Sequence, residues 1–241
     1  MAGGYDAGRA VPEEALRDWR RALSNYLPPA SPEPVVDLGC GTGLWTGTLH
    51  RWFGVDVVGV EPSAAMRAQA PAKGVEGHTF ISGGRAEAIP LRDASCACAW
   101  LSTVVHHIED LDACADELRR ILVDGARVLI RNGFPGRSDD LTLFRYFPEA
   151  KRFLEAFVSL EAVESSFGGA GFRREDLRPV PQTTATSLHD YAKRASLRSD
   201  STLARMDDGA FDRGMTALQA DADAETQPTP IVDNIDLLVL A

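Results

Sequence analysis

The sequence predicts an α/β fold, a parallel sheet with helices on both faces, and three features carry that reading. Short apolar runs rich in β-branched residues alternate with stretches of helical periodicity over about 100 residues, from Val35 to Arg131. The links between them are short, as in successive βαβ units. A glycine-rich turn, Gly39-Cys40-Gly41-Thr42-Gly43, directly follows the first run.

The 241 residues, 44% hydrophobic and 25% charged, have an ordinary globular balance and enough length to bury a core. One domain over 1–241 is expected. No window approaches about 18 consecutive apolar residues, so a membrane span is excluded. Met1–Val11 has no apolar signal segment, which makes a cytoplasmic address the expectation. The net charge of −10 is uneven, with nine acids against Arg205 and Arg213 in residues 200–241. No basic stripe is available to neutralise phosphates, so no nucleic-acid partner is expected. Cys40, Cys96, Cys98 and Cys114 make no CxxC pair and have no further ligands nearby. They are expected to be buried or half-buried free thiols, with no metal site.

Taken in order, residues 12–27 read as a helix, with Ala15, Leu16, Trp19, Leu23 and Tyr26 at helical spacing. Pro12, Glu13 and Glu14 suit its positive N-terminal end. Pro28, Pro29, Pro32 and Pro34 end it and stiffen the connector. Val35–Leu38 is the first strand, and a helix over Leu44–Phe53 follows the glycines. Val55–Val60, Thr79–Ser82 and Cys96–Leu101 read as the next three strands, with a helix over Pro62–Ala70 between the first two. Leu111, Cys114, Ala115, Leu118, Ile121 and Leu122 mark one face of a helix. Asp124-Gly125 then turns into a fifth strand, Arg127–Arg131. Beyond Asn132 the pattern loosens. Leu141–Phe147 is aromatic, and Pro148–Leu160 and Val163–Ala170 read as helices, the second closed by Gly171. Leu177–Ser187 suits a strand that Pro179 and Pro181 confine to an edge or an end. Residues 188–225 are helical, and Ile231–Leu240 is the last strand.

The glycine turn carries the chemistry. A dinucleotide fingerprint needs glycine at 39, 41 and 44, but position 44 is leucine. A phosphate-binding P-loop needs a Gly-Lys-Ser/Thr that is absent. Asp37 precedes the turn, and Glu61 ends the next strand, where a carboxylate can accept hydrogen bonds from both ribose hydroxyls of a nucleoside.

At these residues the sequence resembles the class I S-adenosylmethionine-dependent methyltransferases. Four more segments extend the likeness: Val60-Glu61-Pro62-Ser63-Ala64-Ala65-Met66, Gly84 to Leu91, Val104-Val105-His106-His107-Ile108-Glu109-Asp110, and Leu118 to Leu122 before Asp124-Gly125. They span residues 5–132 in order and look like the branch of small-molecule and quinone methyltransferases. Arg85 stands where an acid is common, and Asp124-Gly125-Ala126 replaces Pro-Gly-Gly. The resemblance implies a Rossmann-like sheet of seven strands, mostly parallel with the last antiparallel, plus a helical cap. It implies S-adenosyl-L-methionine as cofactor. Gly39, Gly41 and Gly43 would wrap its methionine part, supported by Asp37 and Thr42. Glu61 would bind ribose, Pro62 and Met66 would pack on adenine, and Ala86 and Glu87 would meet its edge. The Leu101 carbonyl would meet the cofactor's amino group, and His106 would line the pocket. In this division, 35–132 is the cofactor-binding core and 1–34 covers the cofactor, with Tyr5 over the sulfonium and Arg9 paired to the carboxylate. The alternative for Tyr5 and Arg9 is a frayed terminus.

Methyl transfer requires alignment and, for a protonated acceptor, a base. His106 and His107 follow the fourth strand at the carboxyl edge of the sheet. They precede the positive end of a helix, which favours a neutral imidazole. His107 resembles, in place, a histidine that serves as base or orienter in some members of the family; the alternative is that both histidines cap the helix or line the pocket. Six of the 14 Phe and Tyr residues lie within 134–157. Phe134, Phe144, Tyr146 and Phe147 are candidates to hold a flat or apolar acceptor, or else they pack a helix of their own. The segments 133–160 and 188–225 read as caps or lids, the latter also as a dimer surface, and 177–187 and 231–241 as closing strands. The expected partner is a small-molecule acceptor, possessed by a monomer or homodimer. A binding or scaffold protein that keeps the cofactor fold without chemistry is the competing class.

Overall fold

The computed structural model describes residues 13–27, 31–70 and 79–241. Its sheet has seven strands: β1 (Val35–Leu38), β2 (Val57–Val60), β3 (Thr79–Ser82), β4 (Cys96–Ser102), β5 (Leu122–Asn132), β6 (Arg174–Ala185) and β7 (Ile231–Leu240). Their order is β3-β2-β1-β4-β5-β7-β6. Strands β1 to β5 pair in parallel, and β7 pairs antiparallel with β5. The order reverses direction between β1 and β4, so their carboxyl ends flank the crevice where open α/β sheets bind ligands.

The helices are α1 (Arg17–Leu23), α2 (Leu44–Phe53), α3 (Ala64–Arg67), α4 (Leu111–Ile121), α5 (Thr142–Tyr146), α6 (Lys151–Glu155), α7 (Leu160–Gly169), α8 (Leu188–Ala195) and α9 (Asp208–Asp223). The central strands are apolar because both faces are covered: every residue of β1, and Cys96 to Leu101 of β4, is buried. In α4, Cys114, Ala115, Leu118 and Ile121 form the buried stripe that their spacing predicts. Asp110 caps this helix by accepting the Ala113 N–H at 2.9 Å.

Several boundaries differ from the sequence reading. The first helix begins as a 3₁₀ turn over Glu13–Leu16. Strand β5 starts at Leu122, because Asp124-Gly125 is absorbed as an irregularity beside Cys96 and Cys98, with Gly125 at φ 77°, and does not end the strand. The helix expected over Pro148–Leu160 is broken. A 3₁₀ turn at Pro148–Ala150 and the short α6 are followed by a non-helical 156–159, after which Ser159 caps α7 through the Ala162 N–H. Strand β6 lies at the sheet edge, where Pro179 and Pro181 forfeit no ladder hydrogen bond to a further strand.

The chain gathers into two compact units. One comprises Ala22–Asn132, Val158–Arg178 and Asp236–Ala241, and holds β1 to β5 with α2, α3, α4 and α7. Within it the Arg119 guanidinium lies 5.9 Å from the centre of the Phe172 ring. The other comprises, among the described residues, 13–21, Gly133–Phe157 and Pro179–Ile235. Its core gathers Phe144, Tyr146, Phe147, Leu154, Tyr191 and Phe211 among others, with the Phe147 and Phe211 rings stacked at 5.6 Å. Strands β6 and β7 contribute residues to both units. Among the described residues no helix is long and apolar enough to cross a membrane.

Candidate cofactor site

The site is built at the carboxyl ends of β1, β2 and β4. Leaving β1, the chain turns through Gly39, Gly41 and Gly43, all with positive φ (70°, 58° and 79°). Glycine is required at 39 on two counts. Its φ is left-handed, and a Cβ there would come within 2.3 Å of Val104 Cγ2. The turn is tied to β2 by the Gly39 N–H, which donates to the Val60 carbonyl at 2.7 Å.

Glu61 ends β2 with 8% of its surface exposed. One carboxylate oxygen accepts the Gly41 N–H and the other the Ser63 N–H, both at 2.9 Å. The side chain is thus held between the glycine turn and the start of α3. Ser63 caps α3 by accepting the Met66 N–H at 3.3 Å, and Arg67 donates to the Glu61 and Pro62 carbonyls at 2.7 and 2.9 Å. Pro62 is exposed and Met66 half-buried.

Asp37 is buried beneath the turn, and its carboxylate accepts the Thr46 hydroxyl at 2.7 Å. Burial first, then the neighbouring Glu61 charge, pushes the Asp37 carboxyl up to about 7, against the Thr46 hydrogen bond. Thr42 is buried in the same turn. Cys40 faces Gly59 of β2, where a Cβ would lie 2.7 Å from its sulfur. Burial pushes the Cys40 thiol up, and the charges of Asp37 and Glu61 add to this, so Cys40 serves packing and is not a nucleophile. All four cysteines are free and buried, and burial pushes the Cys98 and Cys114 thiols up to about 12. No cluster that could hold a metal occurs among the described residues.

Ala86 and Glu87 follow β3. Glu87 accepts the Glu109 and Asp110 N–H groups at 3.0 and 3.4 Å, and Arg85 Nε lies 3.4 Å from its other oxygen. Burial works against the Glu87 charge, but the N–H groups of Glu87, Glu109 and Asp110 and the Arg85 guanidinium together hold its carboxyl below the usual range. The positive end of α4, expected to act on the histidines, is therefore met by the carboxylates of Glu87 and Asp110. Leu101 is buried in β4 beside Leu38 of β1. His106 and His107 occupy a 3₁₀ turn, Val105–His107, their rings 4.1 Å apart, with His106 half-buried and His107 exposed.

The structure thus brings Asp37, the glycine turn, Thr42 and Glu61 together, and places Leu101, His106 and His107 on the β4 exit in the same unit. Tyr5 and Arg9 lie outside the described residues. Phe144, Tyr146 and Phe147 belong to the other unit and are buried in its core; Phe134 belongs to the same unit and is fully buried. The sequence reading missed Thr46, whose position nine residues after Asp37 puts it on the inner face of α2. It also missed Thr103 and Arg131 at the ends of β4 and β5. A cation closing an apolar strand run was the available signal for Arg131.

An open α/β sheet with a glycine turn and an acidic β2 end defines a nucleoside-cofactor protein whose fingerprint is not the dinucleotide one. Comparison with known proteins makes this specific. The family described as "Methyltransferase domain" matches residues 36–130. The O-methyltransferase cnsE of Penicillium expansum is 28% identical over 201 residues, covering 74% of this chain and 71% of the relative. The ubiquinone/menaquinone biosynthesis C-methyltransferase UbiE of Rubrivivax gelatinosus is 33% identical over 113 residues, 47% of this chain and 44% of that one. Other curated relatives are matched over as little as 35% of their length. Among solved structures, a chain of Anabaena variabilis described as a methyltransferase from an antibiotic biosynthesis pathway superposes with a TM-score of 0.76 at 22% identity, over 96% of this chain and 98% of its own. Residues 36–130 thus match a methyltransferase-domain family, whose cofactor is S-adenosylmethionine, and the fold is that of the solved methyltransferases it resembles.

The residues present fit that cofactor. A Cβ built at Gly41 meets no heavy atom within 4 Å, so the backbone there can be approached closely. Glu61 Oε2 accepts the Gly41 N–H and Oε1 the Ser63 N–H, and a carboxylate oxygen so engaged keeps a lone pair to accept a hydroxyl.

Proposed function

We propose that this chain transfers the methyl group of S-adenosylmethionine to a small-molecule acceptor with a flat or apolar scaffold. The supporting observation is Glu61, a buried carboxylate fixed by two backbone N–H groups beside a glycine turn of non-dinucleotide spacing. When bound, the cofactor supplies a methyl group already activated on a sulfonium, open to in-line displacement. In this reading Glu61 accepts both ribose hydroxyls, and the backbone of Gly39, Gly41 and Gly43 wraps the methionine part over Asp37 and Thr42. Pro62 and Met66 pack on the adenine, Ala86 and Glu87 meet its edge, and the Leu101 carbonyl receives the amino group. The chain's contribution is then alignment and exclusion of water. His107, exposed on the β4 exit, takes the acceptor's proton, while His106, half-buried beside it, faces the cofactor. A relative named as a ubiquinone/menaquinone biosynthesis C-methyltransferase, beside one named as an O-methyltransferase, supports the acceptor class. A cytoplasmic setting and a monomer or homodimer without a nucleic-acid partner complete the reading.

The test incubates the protein with isotope-labelled S-adenosylmethionine and a panel of phenols, amines and quinone precursors, followed by mass spectrometry. Label on at least one acceptor is expected. Cofactor binding without transfer to any acceptor in a broadened panel would favour a non-catalytic binding protein.

A further inference from the structure

Thr103, the residue after β4, has a φ of 56°. For a β-branched residue this left-handed conformation is an outlier that persists only when its surroundings hold it. Here Arg131, from the end of β5, holds it from two sides. The Arg131 carbonyl accepts the Thr103 N–H at 2.7 Å, and Arg131 Nη1 donates to the Thr103 hydroxyl at 2.7 Å and to the Ser102 hydroxyl at 3.4 Å. The guanidinium also lies 5.8 Å from the centre of the Trp45 ring on α2. The next residue, Val104, seats its side chain on the face that glycine leaves at position 39. The Val104 carbonyl accepts the His107 N–H at 2.8 Å, closing the turn that carries both histidines.

We propose that Arg131 is a positioning residue that locks Thr103 in its left-handed conformation, and that this lock seats Val104 on Gly39 and so couples the histidine turn to the cofactor loop. The coupling to cofactor rests on the reading of that loop given above; the lock does not. The cation at the end of β5 never touches the reacting atoms in this account. It acts through the backbone of the β4 exit.

The two substitutions at Thr103 separate this from a general packing role. Thr103→Val keeps the β-branched strain but removes the hydroxyl that Arg131 holds. Thr103→Gly also removes the hydroxyl, yet adopts a positive φ freely. Thermal melting of the unliganded proteins and calorimetric titration with S-adenosylhomocysteine are read together. Expected is a lower melting temperature and about tenfold weaker binding for Thr103→Val, with Thr103→Gly close to wild type. Arg131→Ala should weaken binding similarly, and Arg131→Ala/Thr103→Gly should recover most of the loss, as coupled sites do. Valine and glycine variants that melt and bind alike, or a double variant as weak as Arg131→Ala, would overturn the proposal. A wild-type protein that does not bind S-adenosylhomocysteine would sink the cofactor reading, while the melting order would still decide the lock.

Discussion

Asp37 carries a charge problem that the fold solves by holding a proton. The folded protein raises its carboxyl from the ordinary 3.8 to about 7 through burial. Between those values the folded state binds a proton that the unfolded chain has released. The stability contributed by the protonated group is therefore complete below pH 4 and is lost as pH rises through 7. Asp37→Asn cannot titrate and keeps an oxygen to accept the Thr46 hydroxyl. Urea denaturation should show the variant gaining on wild type between pH 4 and pH 8, by at most about 4 kcal/mol. A constant difference across that range would mean that Asp37 titrates as an ordinary carboxylate. His107 belongs to the chemistry at the same scale. His107→Ala should lower turnover by roughly 10²–10⁴-fold, with the rising limb of the pH–rate profile lost and the S-adenosylhomocysteine affinity nearly unchanged. Near-normal turnover with an unaltered profile would leave His107 a structural residue. Glu61 and the glycines were legible in the sequence because each one's chemical type is unusual at the end of an apolar strand. Thr46 and Thr103 were not legible, because their importance lies in a partner brought near by folding and in a backbone angle, neither of which residue type reveals.

The turn from β1 into α2 makes a prediction of its own, because its glycines differ in what surrounds them. Gly39→Ala drives a Cβ into Val104 at a positive φ. It should cost the fold about 1–3 kcal/mol of overlap on top of the positive-φ strain that Gly41→Ala also carries, read by chemical denaturation, and weaken cofactor binding as a consequence. At Gly41 the φ is also positive, but nothing lies within 4 Å of the added carbon. Gly41→Ala should therefore cost roughly 1–2 kcal/mol of strain and weaken binding by more than that loss explains. Equal effects of the two substitutions on stability would contradict the role given to Val104. Other elements show why periodicity reads some boundaries and not others. The buried stripe of α4 was plain from Cys114, Ala115, Leu118 and Ile121, since one side of that helix is wholly covered. The break at 156–159 was hidden, because Ser159 acts as a cap only once the chain has ended α6. The Asp124-Gly125 pair looked like a turn, since a strand irregularity and a turn use the same left-handed glycine.

For the whole molecule, alternation of strand and helix was enough to read the parallel half of the sheet, because each βαβ unit is local in sequence. The position of β7 between β5 and β6 is not local and was not read from the sequence; family resemblance gave only that the last strand is antiparallel. The second unit includes 133–157 and 179–235, which overlap the segments read from the sequence as caps or lids, but the meeting of their aromatic side chains in one core is not local and was not legible. The first unit carries the central claim, that a reversal of strand order places a glycine turn and Glu61 around a nucleoside with a methionine tail, not a dinucleotide. The most direct test is calorimetric titration of wild type and Glu61→Ala with S-adenosylhomocysteine, with NAD as the control ligand. The account predicts saturable binding of S-adenosylhomocysteine to wild type, none of NAD, and at least a tenfold loss of affinity in Glu61→Ala, since each hydrogen bond to the carboxylate is worth about 1.5–3 kcal/mol. Saturable NAD binding, or an unchanged dissociation constant in a correctly folded Glu61→Ala, would contradict it.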